Sequence, residues 1–428
     1  MKQPILKRLF WANMLLFPIC TGALAATQQA TTDSELIQRG EYLSRAGDCM
    51  ACHSIEGKPA YSGGLAIKSG LGVIYSTNIT PDKSVGIGNY SEQQFADAVR
   101  NGIRADGSHL YPAMPYPDYA KITDKDIHAL YTYFMNKVPA SSHQPPKTDL
   151  SFPFNQRWGM TFWNWTFGND TAFVPIKGAS EQVNRGAYLV EGLGHCGSCH
   201  TPRGIGMQEK AYDHQDDIFL SGGDLNGWSV PSLRGIPRWT NQEIVDYLQT
   251  GRNDKAGVGG EMTSVIYHST SHMSEDDLSA IAVYLKHLGG NPALTKSDDK
   301  ANQATTVKLT AAKNLTLGER LYVDNCGACH FVDGKGAPKA FPELDGASII
   351  NAPSPDGLVH IILQGAQLPS TAKAPSTLMM PGFSQRLNDK EVAELATFLR
   401  QGWSNHANKV TVEQVKKVRD SLEQDNKK

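Results

Sequence analysis

The chain has no cysteine to spare. Of seven cysteines in 428 residues, one lies at position 20 and the other six form three pairs. Within each pair only two residues separate the cysteines, a spacer that makes a poor disulfide staple. Long apolar runs are missing too. Past the first 26 residues no segment offers about 18 consecutive apolar side chains, so no transmembrane helix is expected. No basic run occurs and no basic residues interleave with aromatics, which argues against a nucleic-acid partner. No Gly-x-Gly-x-x-Gly follows a strand pattern, and no nucleophile-and-base constellation stands out. The histidines outside the pairs are scattered, as surface or pocket residues usually are.

What is present is one pentapeptide, three times. Cys49-Met50-Ala51-Cys52-His53, Cys196-Gly197-Ser198-Cys199-His200 and Cys326-Gly327-Ala328-Cys329-His330 all read Cys-x-x-Cys-His, with starts 147 and 130 residues apart. This is the attachment signature of c-type haem. The two thiols add across the vinyl groups of one porphyrin, and the histidine becomes an axial ligand. Zinc would need four ligands, usually from two such pairs close together, and nothing would then require the histidine. A thioredoxin-like pair would sit between a strand and a helix, whereas both flanks here are helical in pattern. Three covalently bound haem c groups are therefore expected, on Cys49 and Cys52, Cys196 and Cys199, and Cys326 and Cys329, with His53, His200 and His330 as axial ligands.

Residues 1–26 read as a secretory signal. Lys2, Lys7 and Arg8 form a basic start, Phe10–Leu24 is mostly apolar, and Ala23-Leu24-Ala25 is a small-x-small cleavage site. Cys20 would leave with it; Ile19 stands where a lipid-anchored cysteine would need a small neighbour. Cleavage takes the formal net charge from −2 to −5. About 400 residues suit roughly three domains.

An internal repeat gives those domains. Ahead of each motif stands a short helix signal with a glycine: Arg39-Gly40-Glu41-Tyr42-Leu43, Arg185-Gly186-Ala187-Tyr188-Leu189 and Leu317-Gly318-Glu319-Arg320-Leu321-Tyr322. Well after each motif a second helix begins at a capping residue with an acid three positions on: Thr123 and Asp126, Ser274 and Asp277, Asn388 and Glu391. Its apolar face repeats as Ile127, Leu130, Tyr133 and Phe134, then Leu278, Ile281, Tyr284 and Leu285, then Val392, Leu395, Phe398 and Leu399. The repeat resembles class I cytochrome c, whose first and last helices cross at a glycine–aromatic contact. The expected pairs are Gly40 with Tyr133, Gly186 with Tyr284 and Gly318 with Phe398. The fold class is read as all-α, three tandem class I cytochrome c domains: 33–140, 181–290 and 311–403. Residues 141–180 form a linker rich in proline and aromatics, 291–310 a flexible polar linker, and 404–428 a charged tail.

The sixth position on each iron decides the chemistry. A methionine there raises the potential and closes the iron, giving an electron carrier; an open position permits peroxidase-like chemistry. In class I cytochromes that methionine lies on a loop before the last helix. Met114, Met262 and Met380 are the candidates, 61, 62 and 50 residues past their histidines. Met273 abuts the last helix and is ranked below Met262, and Met379 below Met380, which a proline follows. Resemblance also places a loop carbonyl behind each histidine. Pro231 and Pro342 fit that role, while domain one has Thr77 where the proline would be.

The whole mature chain resembles the three-haem cytochrome c subunits of membrane-associated bacterial dehydrogenases. The resemblance is carried by the stretch from Arg185 to Cys196, by Leu110-Tyr111-Pro112-Ala113-Met114-Pro115-Tyr116 and by Phe219-Leu220-Ser221-Gly222-Gly223. It implies an electron-transfer subunit at the periplasmic face, peripherally attached to the membrane. Electrons would pass from a separate dehydrogenase subunit, a flavoprotein of the gluconate 2-dehydrogenase type, with a small third subunit, to ubiquinone. Substrate oxidation would occur on the partner, and no catalytic residue is assigned to this chain. A quinoprotein alcohol dehydrogenase partner is the alternative; a soluble shuttle and a haem peroxidase are the alternatives of other classes. Membrane contact is expected through the cluster Trp158, Trp163 and Trp165 or through the tail, where Val415, Val418 and Leu422 follow helical spacing. Filling of the seam between domains one and two is the competing role for the tryptophans.

Overall fold

The computed structural model describes residues 21–225, 227–290 and 298–426. Residues 1–20, most of the signal segment, and 291–297 of the second linker lie outside the described residues.

Each repeat folds as expected at its crossing. A leading helix, Thr21–Ala46, Glu181–Tyr188 or Leu317–Asn325, meets a closing helix, Asp124–Asn136, Glu275–His287 or Asp389–Gln401. A Cβ on Gly40 would lie 2.5 Å from Tyr133 Cβ, one on Gly186 2.5 Å from Tyr284 Cβ, and one on Gly318 2.9 Å from Phe398 Cβ. The backbone carbonyls of Ala129, Ala280 and Glu394 would be closer still. Only a residue without Cβ lets the helices approach this far. The closing helices start where the capping residues indicated. Thr123, Ser274 and Asn388 accept from the main-chain N–H of Asp126, Asp277 and Glu391.

Helices dominate, but the chain is not all-α. Antiparallel ribbons pair Ala66–Ser69 with Gly72–Tyr75, Gly223–Leu225 with Trp228–Val230, and Gly365–Gln367 with Met379–Pro381. Asp149–Leu150 adds a short third strand to the first. These are the glycine-bearing loops between helices, which have no helical period yet must satisfy their backbone groups.

Domains one and two share one core. Leu43, Phe95, Leu130 and Phe134 belong to the same buried cluster as Leu189, Phe219, Ile244 and Leu278. A reciprocal pair of polar contacts ties the two together. Arg39 binds Asp126 within domain one (Nε to Oδ1, 2.8 Å), and Tyr188 of domain two donates to the same carboxylate at 2.6 Å. Arg185 binds Asp277 within domain two at 2.7 Å, and Tyr42 of domain one donates to it at 2.5 Å. Each domain thus lends the other the tyrosine of its Arg-Gly-x-Tyr segment. Domain three keeps a core of its own.

Three connecting segments differ from the expectation. The polar linker is helical over Asp299–Ala311, with Leu309 buried in the domain-three core and the Asn302 amide donating to Asp345 Oδ2 at 2.7 Å. Its order comes from those contacts, since its own apolar face is weak. The first linker contains the helix Gly159–Phe167. The tail forms the helix Val412–Asn426, whose Val415, Val418 and Leu422 are buried against domain three. That apolar face is spent within the fold, which removes the tail as a membrane contact.

Candidate haem sites

In the first motif both cysteines and the histidine lie in the helical turn Cys49–His53, whereas in the other two Cys196 and Cys326 stand immediately before the turns Gly197–His200 and Gly327–His330 that hold the second cysteine and the histidine. The histidines are oriented identically. His53 Nδ1 is 2.7 Å from Thr77 O, His200 Nδ1 2.8 Å from Pro231 O, and His330 Nδ1 3.0 Å from Pro342 O. A carbonyl can only accept, so Nδ1 carries the proton and Nε2 keeps its lone pair for a metal. Thr77 serves as well as proline because the acceptor is main chain. Burial holds all three imidazoles below the usual histidine range, the carbonyl bond opposing it, so they are neutral at pH 7.

The thiols are unbridged. Burial pushes Cys49, Cys196 and Cys326 up to about 12 and Cys52 and Cys199 up to about 11. A thioredoxin-type pair needs a stabilised thiolate, and these environments do the opposite. The thiol of Cys52 is raised further by Asp48, Cys199 and Glu261. The first and second motifs therefore lie near enough to feel each other's charge. The sequence carries no signal for this, because residues 147 positions apart meet only through tertiary packing.

The methionines divide. Met114 is half-buried against the shared core, in a turn where Tyr116 N–H donates to its carbonyl at 2.8 Å. Met380 stands on a ribbon strand opposite Ala366 and packs on the domain-three core, whereas Met379 is 73% exposed. Met262 opens the helix Met262–His268 instead of sitting mid-loop, beside Tyr247 and the domain-three residues Leu368 and Leu378. Met273 is a core residue, 6% exposed.

The donor set fits a tethered iron porphyrin. Two thiols, one neutral imidazole with a free Nε2 and a thioether further along the chain recur three times. Among the described residues no three His, Cys, Asp or Glu side chains converge as a bare metal ion would require.

The comparisons agree with this geometry. The cytochrome c family profile matches residues 37–137, 183–289 and 315–403. The gluconate 2-dehydrogenase cytochrome c subunit of Pantoea cypripedii is 42% identical over 94% of this chain and 92% of its own length. The cytochrome c subunit of the quinone alcohol dehydrogenase of Gluconobacter oxydans is 42% identical over 96% of this chain and 87% of its own. The fructose dehydrogenase cytochrome subunit of Gluconobacter japonicus is 35% identical over 90% and 82%. Three motif turns with identically oriented histidines, on three matched segments, make this chain a member of the cytochrome c family, an electron-transfer subunit of the kind that serves gluconate 2-dehydrogenase and related membrane dehydrogenases.

Proposed function

We propose that each motif carries one haem c, three in all, with the axial pairs His53 and Met114, His200 and Met262, and His330 and Met380. When bound, these groups supply one-electron redox chemistry at a closed, six-coordinate iron. The chain's own residues do the rest. Cysteine sulfurs fix each group, the loop carbonyl holds the imidazole's tautomer and direction, and the thioether favours the reduced state. The observation that carries the reading is the threefold repetition of the Nδ1-to-carbonyl bond. A pyridine haemochrome assay should count three covalent haems per mature chain; two or fewer would remove at least one motif from the reading. Replacing Met114, Met262 or Met380 by alanine should each take about a third of the near-infrared methionine–iron band, if the sites contribute equally. Loss of the band in Met273→Ala but not Met262→Ala would reverse the domain-two assignment.

The proposed route runs from a dehydrogenase subunit, a flavoprotein of the gluconate type, through these haems to ubiquinone at the periplasmic face, after removal of the signal. A quinoprotein alcohol dehydrogenase is the alternative partner, favoured by an equal 42% identity to the Gluconobacter oxydans subunit. Reduction of the purified cytochrome by each dehydrogenase with its substrate separates the two.

Attachment is proposed to be peripheral, through one aromatic surface. No described helix is long and apolar enough to cross a membrane. On the helix Gly159–Phe167 and the residue before it, Trp158, Phe162 and Trp165 recur at helical spacing and are 67%, 62% and 85% exposed. Trp163 turns the other way, donating to Gly206 O at 2.6 Å, and so belongs to the seam. Ile205, adjoining that carbonyl, is 99% exposed. From Leu150 to Asn169 the chain has no acid and one base, Arg157. Exposed indole rings on a nearly uncharged face suit a bilayer interface. Serine at Trp158, Phe162 and Trp165 together should release the folded cytochrome from anionic liposomes with its haem intact. Unchanged sedimentation with the vesicles would end the membrane reading.

A further inference from the structure

The seam between domains one and two holds two buried carboxyl groups for which electron transfer alone has no use. Asp118 lies in the short turn Tyr116–Tyr119, and Glu209 on the loop after the second motif. They are 0% and 6% exposed. Ser198, inside the second motif, has its hydroxyl 3.1 Å from Asp118 Oδ2 and 3.2 Å from Glu209 Oε1. One hydroxyl has one proton and can satisfy only one of them at a time. Through that hydroxyl the two carboxyls meet on one side chain. Asp118 Oδ1 and Glu209 Oε2 are buried without a hydrogen-bond partner. Two ionised carboxylates so placed would repel and leave both oxygens unsatisfied. A single proton held between them removes both costs.

The surrounding charges do not cancel this. Lys121 donates from Nζ to Tyr212 O at 2.5 Å, and Arg203 donates to Ser198 O. His195, against the Tyr119 ring, is kept neutral by burial. The Tyr119 and Tyr212 phenols are themselves pushed up by burial and stay protonated. Burial outweighs the cations and holds both carboxyls above the usual carboxylate range, Glu209 the further. The pair's charge also reaches the second motif. After burial, Asp118 is the next cause of the raised Cys196 thiol, and Glu209 and Asp118 both raise Cys199.

We propose that Asp118 and Glu209 form one proton-binding site whose occupancy is linked to the charge of the haem tethered by Cys196 and Cys199. The pair binds its proton more tightly while that haem holds an electron delivered by the dehydrogenase partner, and less tightly once the electron has left, exchanging the proton with solvent. Proton uptake then offsets part of the charge that electron passage adds to the seam. The sign follows from electrostatics: losing the proton adds negative charge beside the haem and favours the oxidised state. The potential of this one haem therefore falls as pH rises through the titration of the pair.

The inference rests on Cys196 and Cys199 carrying a haem, and a haemochrome count on the same sample tests that separately. Spectroelectrochemical titration of the full-length holoprotein from about pH 5 to about pH 9 should show one haem with a falling potential. An order-of-magnitude tenfold difference in proton affinity between the two redox states corresponds to a total change of ~59 mV for one electron. Glu209→Gln and Asp118→Asn should each abolish the slope. A slope that survives in both variants belongs to another group, such as the haem propionates, and overturns the proposal; so does a wild-type potential independent of pH with all three haems present. Should both variants misfold, redox-difference infrared spectra of the unaltered protein decide. The carbonyl band of a protonated carboxylic acid must grow on reduction, and its constancy would overturn the inference.

Discussion

Domains one and two differ from domain three in how they use the acid three residues into the closing helix. In domain three Glu391 folds back and accepts from its own Asn388 N–H at 2.9 Å, completing a capping box. Asp126 and Asp277 occupy the same position, but their shorter side chains leave the cap and bind an arginine of the leading helix and a tyrosine of the neighbouring domain. One methylene separates a local device from a tertiary one. The consequence is visible in the cores: domains one and two share theirs, while domain three is separate. Domain three meets domain two through a small apolar cluster, Val258 and Ile266 against Leu368, and through polar and ring contacts, with Trp228 stacked on His360 at 4.7 Å, Arg238 paired with Glu343 and Lys339 with Asp246. The repeat therefore encodes three similar cytochrome c segments but two kinds of domain: a fused pair and an appended unit.

The strongest way to break this comparison is at the helix crossings, which all three domains share. Gly40→Ala or Gly186→Ala forces a Cβ to 2.5 Å from the Cβ of Tyr133 or Tyr284, far inside van der Waals contact, with a carbonyl closer still. Each should cost at least about 3 kcal/mol, within the upper range for overpacking. Because the core is shared, either one should lower the thermal stability of domains one and two together. Gly318→Ala should disturb domain three alone. Calorimetry of the three variants checks this, and separate melting of domains one and two would refute the shared core.

Next comes the latch. Asp277→Ala or Asp126→Ala strands a partly buried arginine and a tyrosine of the other domain. The loss should be about 2 kcal/mol, below that of a fully buried pair because the Arg39 side chain is 40% exposed and Arg185 34%. Glu391→Ala removes only half of a capping box and should cost about 1 kcal/mol. Equal losses at the three positions, measured by denaturant unfolding, would show that the latch adds nothing to the cap.

Acid should weaken the latch. Burial alone would raise the Asp277 carboxyl, but the hydrogen bonds from Arg185 and Tyr42 outweigh it and hold it below the usual range. A depressed acid stabilises the fold above its unfolded value, about 4, and that contribution is lost as pH falls through the depressed value. Unfolding free energy followed against pH should show this loss in wild type and not in Asp277→Asn.

The smallest effect is expected at Thr77. Its side chain is exposed and its carbonyl holds His53. Thr77→Ala should change stability by less than about 0.5 kcal/mol and leave the haem spectra unaltered. A shifted potential for the first haem would show that the threonine side chain, and not only the carbonyl, tunes it.

Much of the haem architecture was legible along the chain because it is local. Cysteine and histidine spacing is set by attachment chemistry, the apolar face of the closing helix by the 3.6-residue period, and the crossing glycines by the absence of room for a Cβ. Thr77 looked like a departure only because the residue type was being read where the main chain acts. Asp126 and Asp277 looked like caps, since an acid at that position has the same local form whichever partner it takes. The tail's apolar stripe could equally have faced a membrane; burial of Val415, Val418 and Leu422 against domain three settled it. The sequence by itself determined the three Cys-x-x-Cys-His turns, their helices and the crossings. Only the tertiary structure decided which domains fuse, which aromatic rings remain outside, and that Asp118 meets Glu209. Those outcomes join residues from 62 to 235 positions apart, where neither periodicity nor capping reaches and the balance of burial against desolvation chooses the partner.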